Sequence, residues 1–422
     1  MSNQRQIHFF IIHDHHIQDR NTLNMVKEAI QRTTHTSDTI SILTTRYNLP
    51  TPTSHKSLAG GFSGTNYKLN FSSPSTPTHC LKICHGYDLA FVEAQARVMI
   101  HYQQHNYKTA CFAVPLSKEH ATDNYKFATI DPTTQDPVIL LTFANGRAAD
   151  ALLEEGLVSV SVAFSGMGAS LGALHSVPVN DNDNLRTYQD GGACDVYKQM
   201  ESIELQRMET NQFTQTHPFL TFYKPRRQAL ETAMRNAQQL TRGVIHGDPF
   251  ADNVMLDPQT GKVNAWVDWE DATTGPILFD VAVSIIGTCF PEGSSTLDVL
   301  RLKWLMSGYT KIRPIPKDEY LVLMEFCRLA LLCNCCWRFT NFHIAHREVV
   351  ECRDRYVELR DRILELEKVD VQKEVLGIFR LKDGFYVVDE PMGDAVVLKK
   401  RSVMGMAVVG LVVGSVLSRV LF

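Results

Sequence analysis

The chain has no excess of positive charge to offer a nucleic-acid backbone. Its 42 Lys and Arg stand against 46 Asp and Glu, giving a formal net charge of −4, and the sequence pI is near 6.5. It also lacks a basic stripe interleaved with aromatics, so nucleic acid is excluded as an expected partner. No period in the solenoid range repeats along it. The ten cysteines are scattered, and the densest group, Cys327, Cys333, Cys335 and Cys336, has a single C-x-x-C, Cys333 to Cys336, without the second pair of a zinc site. They read as small buried hydrophobes in a reducing compartment. The first apolar stretch, Ile7 to Ile12, is short and has no basic lead, which argues against a signal peptide. It runs into His13-Asp14-His15-His16, a cluster that reads as a solvated edge or turn rather than a metal site. What is present is 44% hydrophobic and 21% charged over 422 residues, enough to bury a sizeable core in two or three lobes.

The most informative stretch is His246-Gly247-Asp248-Pro249-Phe250-Ala251-Asp252-Asn253, followed by Val267-Asp268-Trp269 at the end of an apolar run. An Asp five residues before an Asn, with a second Asp fifteen residues further on, is the spacing of a catalytic loop, a short hairpin and a metal-binding strand end in kinase-like folds. Phosphoryl transfer asks mainly for alignment of a hydroxyl and neutralisation of phosphate charge. Asp248 is therefore expected to accept or orient the proton of a substrate hydroxyl. Asn253 and Asp268 are expected to hold Mg²⁺, a hard cation that prefers such oxygens.

Upstream, Leu58 to Phe71 predicts strand, glycine turn, strand around Gly60-Gly61-Phe62-Ser63-Gly64. Gly61 and Gly64 would let backbone N–H groups approach the phosphates of ATP. Cys80-Leu81-Lys82-Ile83 is a short apolar strand whose one lysine is placed to meet the α/β-phosphates. Eleven residues on, Glu93 lies in a predicted helix from which it would pair with Lys82. Val138 to Phe143 reads as an apolar strand entering Ala144-Asn145-Gly146-Arg147, a hinge where adenine would meet the backbone around Phe143.

In order and spacing these segments resemble the aminoglycoside phosphotransferase/choline kinase-like superfamily, and within it the type II homoserine kinases. Glycine at 247, where protein kinases carry Arg, is part of that likeness. So are Val244 through Asp257, Val267-Asp268, Leu278-Phe279-Asp280-Val281-Ala282, the Leu171 to Ser176 helix, Gly308-Tyr309 with Arg313-Pro314-Ile315, and the helix through Trp337-Arg338-Phe339. The likeness covers roughly residues 35 to 365. It implies an α+β, bilobed protein-kinase-like fold, with a small β-rich N-lobe over 35–145 and a large helical C-lobe over 146–368, and a buried structural role for Asp280. It also implies ATP-dependent phosphorylation of a small molecule's hydroxyl, homoserine first, with hydroxylysine or an amino alcohol as the alternative acceptor. Pro249 and Trp269-Glu270-Asp271 depart from that group's usual residues and bear on acceptor identity. A zwitterionic acceptor would ask for a carboxylate near its ammonium, for which Glu270 and Asp271 are candidates. Its carboxyl group would ask for an Arg, for which Arg338 is the candidate. A protein kinase is disfavoured, since Asp-Phe-Gly, Ala-Pro-Glu and His-Arg-Asp are all missing. A catalytically silent scaffold that keeps the fold is the remaining reading.

Residues 1–34 are expected to form an N-terminal extension, and 369–402 a linker with some strand character. Lys399-Lys400-Arg401 then precedes an uncharged, mostly apolar run over 403–418. With Arg419 snorkelling, the span 403–420 is just long enough for a transmembrane tail anchor. The basic triplet would keep the catalytic lobes in the cytosol, on the mitochondrial outer membrane or endoplasmic reticulum. Gly410 and Gly414 form a G-x-x-x-G face on which two tails could pair as a homodimer.

Overall fold

The computed structural model describes residues 35–58, 64–180, 183, 185, 217–236, 240–345 and 352–391. The small lobe opens with helix α1 (Ser37–Thr45), whose N-cap Thr36 hydroxyl accepts the Thr39 amide. A five-stranded antiparallel sheet follows: β1 (Ser54–Ser57), β2 (Gly64–Asn70), β3 (His79–Cys84), β4 (Ala128–Ile130) and β5 (Pro137–Thr142), in the order β1-β2-β3-β5-β4. Strand alternation divides β3 between two environments. Leu81 and Ile83 pack with Ile40, Leu43, Tyr67 and Leu140 under α1. Cys80, Lys82 and Cys84 take the other side, toward the large lobe. Helix α2 (Leu89–Gln104) spans that side, and Asp88 caps it by accepting the Phe91 amide at 2.7 Å.

The large lobe begins with β6 (Arg147–Ala148), α3 (Ala149–Glu154) and α4 (Val160–Leu174), and after α5 (Pro218–Asn236) it builds two small ladders. One pairs β7 (Arg242–Ile245) with β10 (Thr273–Pro276), and the other sets β8 (Val254–Leu256) between β6 and β9 (Val263–Trp266). The loops between these ladders carry the sequence motifs. Helix α6 (Ile277–Thr288) follows and is buried at every position, in keeping with its nearly unbroken apolar sequence. Next come α7 (Val299–Ile312), β11 (Ile315–Pro316), α8 (Lys317–Leu321) and α9 (Leu323–Arg338), which continues as a π-helical stretch Phe339–Ala345. Cys327, Cys333, Cys335 and Cys336 are all buried along α9, where burial pushes the Cys335 thiol up to about 12.

Residues 369–388 do not form a linker. They fold onto the large lobe as α11 (Val369–Gly377), after α10 (Tyr356–Leu366), and then a hairpin of β12 (Arg380–Lys382) and β13 (Phe385–Val387). Strand β13 pairs with β11, Tyr386 stacks on Tyr320 at 3.6 Å, and the Val388 amide donates to Thr310 Oγ1 at 3.0 Å. Packing of Phe379 and Tyr386 on Tyr320 seats this segment, and its β12–β13 hairpin is the strand character that the sequence suggested. Among the described residues no helix is long and apolar enough to cross a membrane, and the run 403–418, with Gly410 and Gly414, lies outside them.

Helices α4 and α7 meet backbone to backbone. A Cβ at Gly168 would land on the Leu305 carbonyl, and one at Gly308 on the Ser165 carbonyl. Gly308→Ala is therefore expected to lower the unfolding free energy by about 1–3 kcal/mol through overpacking. Chemical denaturation of the purified chain measures this, and an unchanged midpoint would show that the two helices can separate at no cost.

Candidate active site

The loop after β7 is shaped by one buried carboxylate. Asp280, in the first turn of α6 and 0% exposed, accepts the His246 amide at 2.5 Å on Oδ2 and the Gly247 amide at 2.8 Å on Oδ1. His175, at the end of α4, donates from Nε2 to Oδ2 at 3.1 Å. The His246 ring donates from Nε2 to the Val267 carbonyl at 2.9 Å and accepts the Asp248 amide on Nδ1 at 3.3 Å. Burial pulls this imidazole below its usual range and outweighs the opposing field of Asp280. The ring therefore stays neutral, as those two opposite hydrogen-bond roles require. Gly247 has φ +86°, and a Cβ there would come within 2.5 Å of the Asp271 carbonyl oxygen and 2.7 Å of its Cβ. Sterics thus explain why glycine stands where protein kinases carry Arg.

Asp248 emerges from this loop 2% exposed. The Asn253 side-chain amide donates to its Oδ2 at 2.8 Å and to its backbone carbonyl at 3.0 Å, while Oδ1 is buried without a hydrogen-bond partner. Desolvation first, then the carboxylates of Asp252, Asp271, Asp268 and Glu270, hold its pKa well above the ordinary range. A buried carboxylate raised in this way is a stronger base than a solvated one. Asn253 reaches it from a 3₁₀ turn, Ala251–Asn253, that leads into β8. The Val267 amide donates to the Asn253 carbonyl at 3.0 Å, so the β8–β9 ladder sets Asn253 next to Asp268.

Asp268 occupies the left-handed region, with φ 61° and ψ 65°, a conformation costly for a non-glycine residue and concentrated at functional sites. Its Oδ1 accepts Lys82 Nζ at 2.6 Å, and Glu270 Oε2 accepts the same nitrogen at 2.8 Å. Burial alone would pull the lysine down, but these two carboxylates outweigh it and hold its pKa well above the usual value. Gly64, paired with Cys84 in the sheet, leaves room for this side chain, since a Cβ there would sit 2.6 Å from the Ile83 carbonyl oxygen and 3.3 Å from Lys82 Cε.

The remaining expected site residues are placed differently. Glu93 does not hold Lys82: its carboxylate accepts the backbone amides of Lys126, Phe127 and Ala128, each at 2.9 Å, and so anchors the approach to β4. Arg338 pairs with Glu358 at 3.2 Å and donates to the Arg355 carbonyl, which commits it to the packing of α9 on α10 rather than to a substrate carboxylate. Glu270 lies on the lysine side of the cluster, whereas Asp271 backs the Gly247–Asp248 turn. Phe143 follows β5 at the lobe junction, its amide donating to the Thr78 carbonyl at 3.3 Å and its ring centroid 4.4 Å from the Lys68 ammonium. Gly61 lies outside the described residues. Sequence reasoning missed Asp252 as part of the charge around Asp248, His175 as a support of Asp280, and the Glu270–Lys82 pair. The last joins positions 188 apart, and no local spacing announces it.

The steric reading of Gly247 has a direct test. Gly247→Ala is expected to cost about 1–3 kcal/mol of stability, from positive φ and the Asp271 contact together. Gly166→Ala is the control, since its added Cβ would meet Val263 only at an ordinary 3.5 Å. Equal denaturation midpoints for the two variants would overturn the reading.

Comparison with known proteins adds to this geometry. A homoserine kinase of Methylobacillus flagellatus is 32% identical over 97 residues, which is 23% of this chain and 30% of that protein. The aligned segment is thus under a third of that relative's length. In structure the chain is similar to an amicoumacin kinase in complex with AMP-PNP, Ca²⁺ and Ami, with TM-score 0.54 and 14% identity over 76% of this chain and 91% of that one. It is also similar to an ethanolamine kinase of Plasmodium vivax, with TM-score 0.55 and 10% identity over 85% of this chain and 96% of that one. At those identities the likeness is one of fold. Residues 54–315, well over half of the sequence, match the phosphotransferase enzyme family, and the chain belongs to it.

Proposed function

We propose that this protein transfers the γ-phosphate of ATP to the hydroxyl group of a small molecule, with homoserine as the foremost acceptor. The observation that carries the reading is the gathering of Lys82 from β3 with Asp248, Asn253 and Asp268 from the loop after β7 and the β8–β9 hairpin around one buried point. Asp248 would take the acceptor's proton on Oδ1, with its other oxygen fixed by Asn253. Lys82 would meet the phosphates from β3. The donor set suits Mg²⁺, because the Asn253 amide and the Asp268 carboxylate are hard oxygens at adjoining strand ends. When bound, that cation would neutralise charge on the phosphate oxygens.

Homoserine is supported by the segment shared with a homoserine kinase. A second reading, an amino-alcohol or hydroxylysine acceptor, is favoured by the charge of the site. Asp248, Asp252, Asp268, Glu270 and Asp271 surround the buried point, which suits an ammonium, with Asp271 the proposed ligand. Arg338, the candidate for a carboxylate end, is engaged by Glu358.

For the apolar run 403–418, the proposal is a membrane anchor that holds the catalytic lobes at the cytosolic face of the mitochondrial outer membrane or the endoplasmic reticulum. Its support is the length of the run and the basic triplet before it. The full chain should stay with membranes through alkaline carbonate extraction, and a chain ending at residue 398 should not. Release of both would sink the anchor.

The kinase reading is tested by MgATP-dependent ADP release with homoserine, hydroxylysine, ethanolamine and choline. Asp248→Asn should lower kcat by about 10²-fold or more. The same variant should be more thermostable than the parent, and increasingly so as pH rises. A carboxylate whose folded pKa is raised contributes its stability below the unfolded pKa and loses it as pH climbs through the folded value, and Asn removes that loss. Bound MgATP without turnover on any acceptor would overturn the kinase reading in favour of a scaffold.

A further inference from the structure

Helix phase decides which residue of α2 can look at the phosphate-binding lysine. Successive residues turn by about 100°, so Glu93 and Gln95 lie on nearly opposite faces. Glu93 faces the chain entering β4, where three backbone amides occupy its carboxylate. Gln95 faces the site, its Nε2 donating at 3.5 Å to the carbonyl of Glu270, the residue whose carboxylate binds Lys82 at 2.8 Å. The helix therefore presents a neutral amide to the backbone of Glu270, and no carboxylate of its own to the lysine. The carboxylate arrives instead from the short turn Trp269–Asp271, directly after the strained Asp268.

Resting on the kinase reading above, we propose that Glu270 is the positioning residue for Lys82, holding the ammonium in line with the phosphates, and that Glu93 has become a structural anchor of the small lobe. Three features carry this. Glu270 is 2% exposed, so its pairing with Lys82 is little screened by solvent. Lys82 has two carboxylate partners, and were Asp268 to hold a metal ion, Glu270 would be the partner left to the lysine. Both partners come from the same turn of the large lobe, so the lysine's position is set across the cleft rather than by any swing of α2. A consequence is that no inward movement of α2 is needed to complete the nucleotide site.

The experiment compares Glu270→Gln with Glu93→Gln in the full chain, by MgATP binding in the absence of acceptor, KM for ATP, thermal stability, and acylation of Lys82 by an amine-reactive ester followed by peptide mass spectrometry. Glu270→Gln should weaken MgATP binding and raise KM for ATP by about tenfold or more, the scale of a lost charge-assisted hydrogen bond. It should also speed acylation of Lys82, because an ammonium held by one carboxylate instead of two leaves its buried seat more readily to meet the reagent. Glu93→Gln should lower the melting temperature while leaving Lys82 acylation and MgATP affinity within about twofold of the parent. Faster acylation and weaker nucleotide binding in Glu93→Gln, with Glu270→Gln like the parent, would overturn the assignment. Failure of the parent itself to bind MgATP would instead overturn the kinase reading. The acylation result depends on neither turnover nor nucleotide, and so separates the two failures.

Discussion

Asp280 holds a carboxylate out of water at the start of a helix that is buried at every position, and the site depends on how that charge is satisfied. Two consecutive loop amides and the His175 ring supply its hydrogen bonds. His175 Nδ1 in turn accepts from the Tyr309 hydroxyl at 3.0 Å, and Arg313 donates to that hydroxyl at 3.2 Å and forks onto Glu319. Removing one partner of a buried charge costs far more than the net worth of the pair. The loop at 246–248 is therefore locked to α4, α6 and α7 at once. Asp248 inherits its position from this chain and makes no part of it.

What the locked loop supports is electrostatically unfavourable by itself. Five carboxylates are brought into one region, and Lys82 is the cation that crosses from the sheet to meet two of them. The remaining repulsion falls on Asp248, which burial has already disfavoured as an anion. Strain is stored beside it in the left-handed backbone of Asp268. The proposed nucleotide and cation would relieve this imbalance by completing the charge balance, and a functional site is where stability is commonly given up.

Much of this was legible along the chain because the relevant spacings are short. Asp248, Asn253 and Asp268 fall within one loop and one hairpin, and hairpin geometry alone returns position 268 to position 253. Lys82 was legible from the alternation of β3, which must turn Leu81 and Ile83 to one side and the lysine to the other. Glu93 misled because kinase-like spacing counts residues and not helix phase, and a helix entering at a slightly different rotation turns the expected face away. Arg338 misled because an Arg on a helix serves whichever carboxylate the neighbouring helix presents, here Glu358. The segment 369–388, read as a linker, is held instead by Phe379, Tyr386 and Val388, which seat it beside Tyr320, a partner that no local pattern announces.

The sequence by itself determined the local chemistry: which oxygens sit near which turn and which strand carries the lysine. These follow from two-residue and few-residue periodicities that any folded form of the chain must obey. The tertiary structure alone decided who partners whom across long separations. Lys82 with Glu270, His175 with Asp280 and Glu93 with the amides before β4 are set by how lobes and helices pack, since a buried charge takes the hydrogen-bond partner that packing delivers, whatever its distance along the chain.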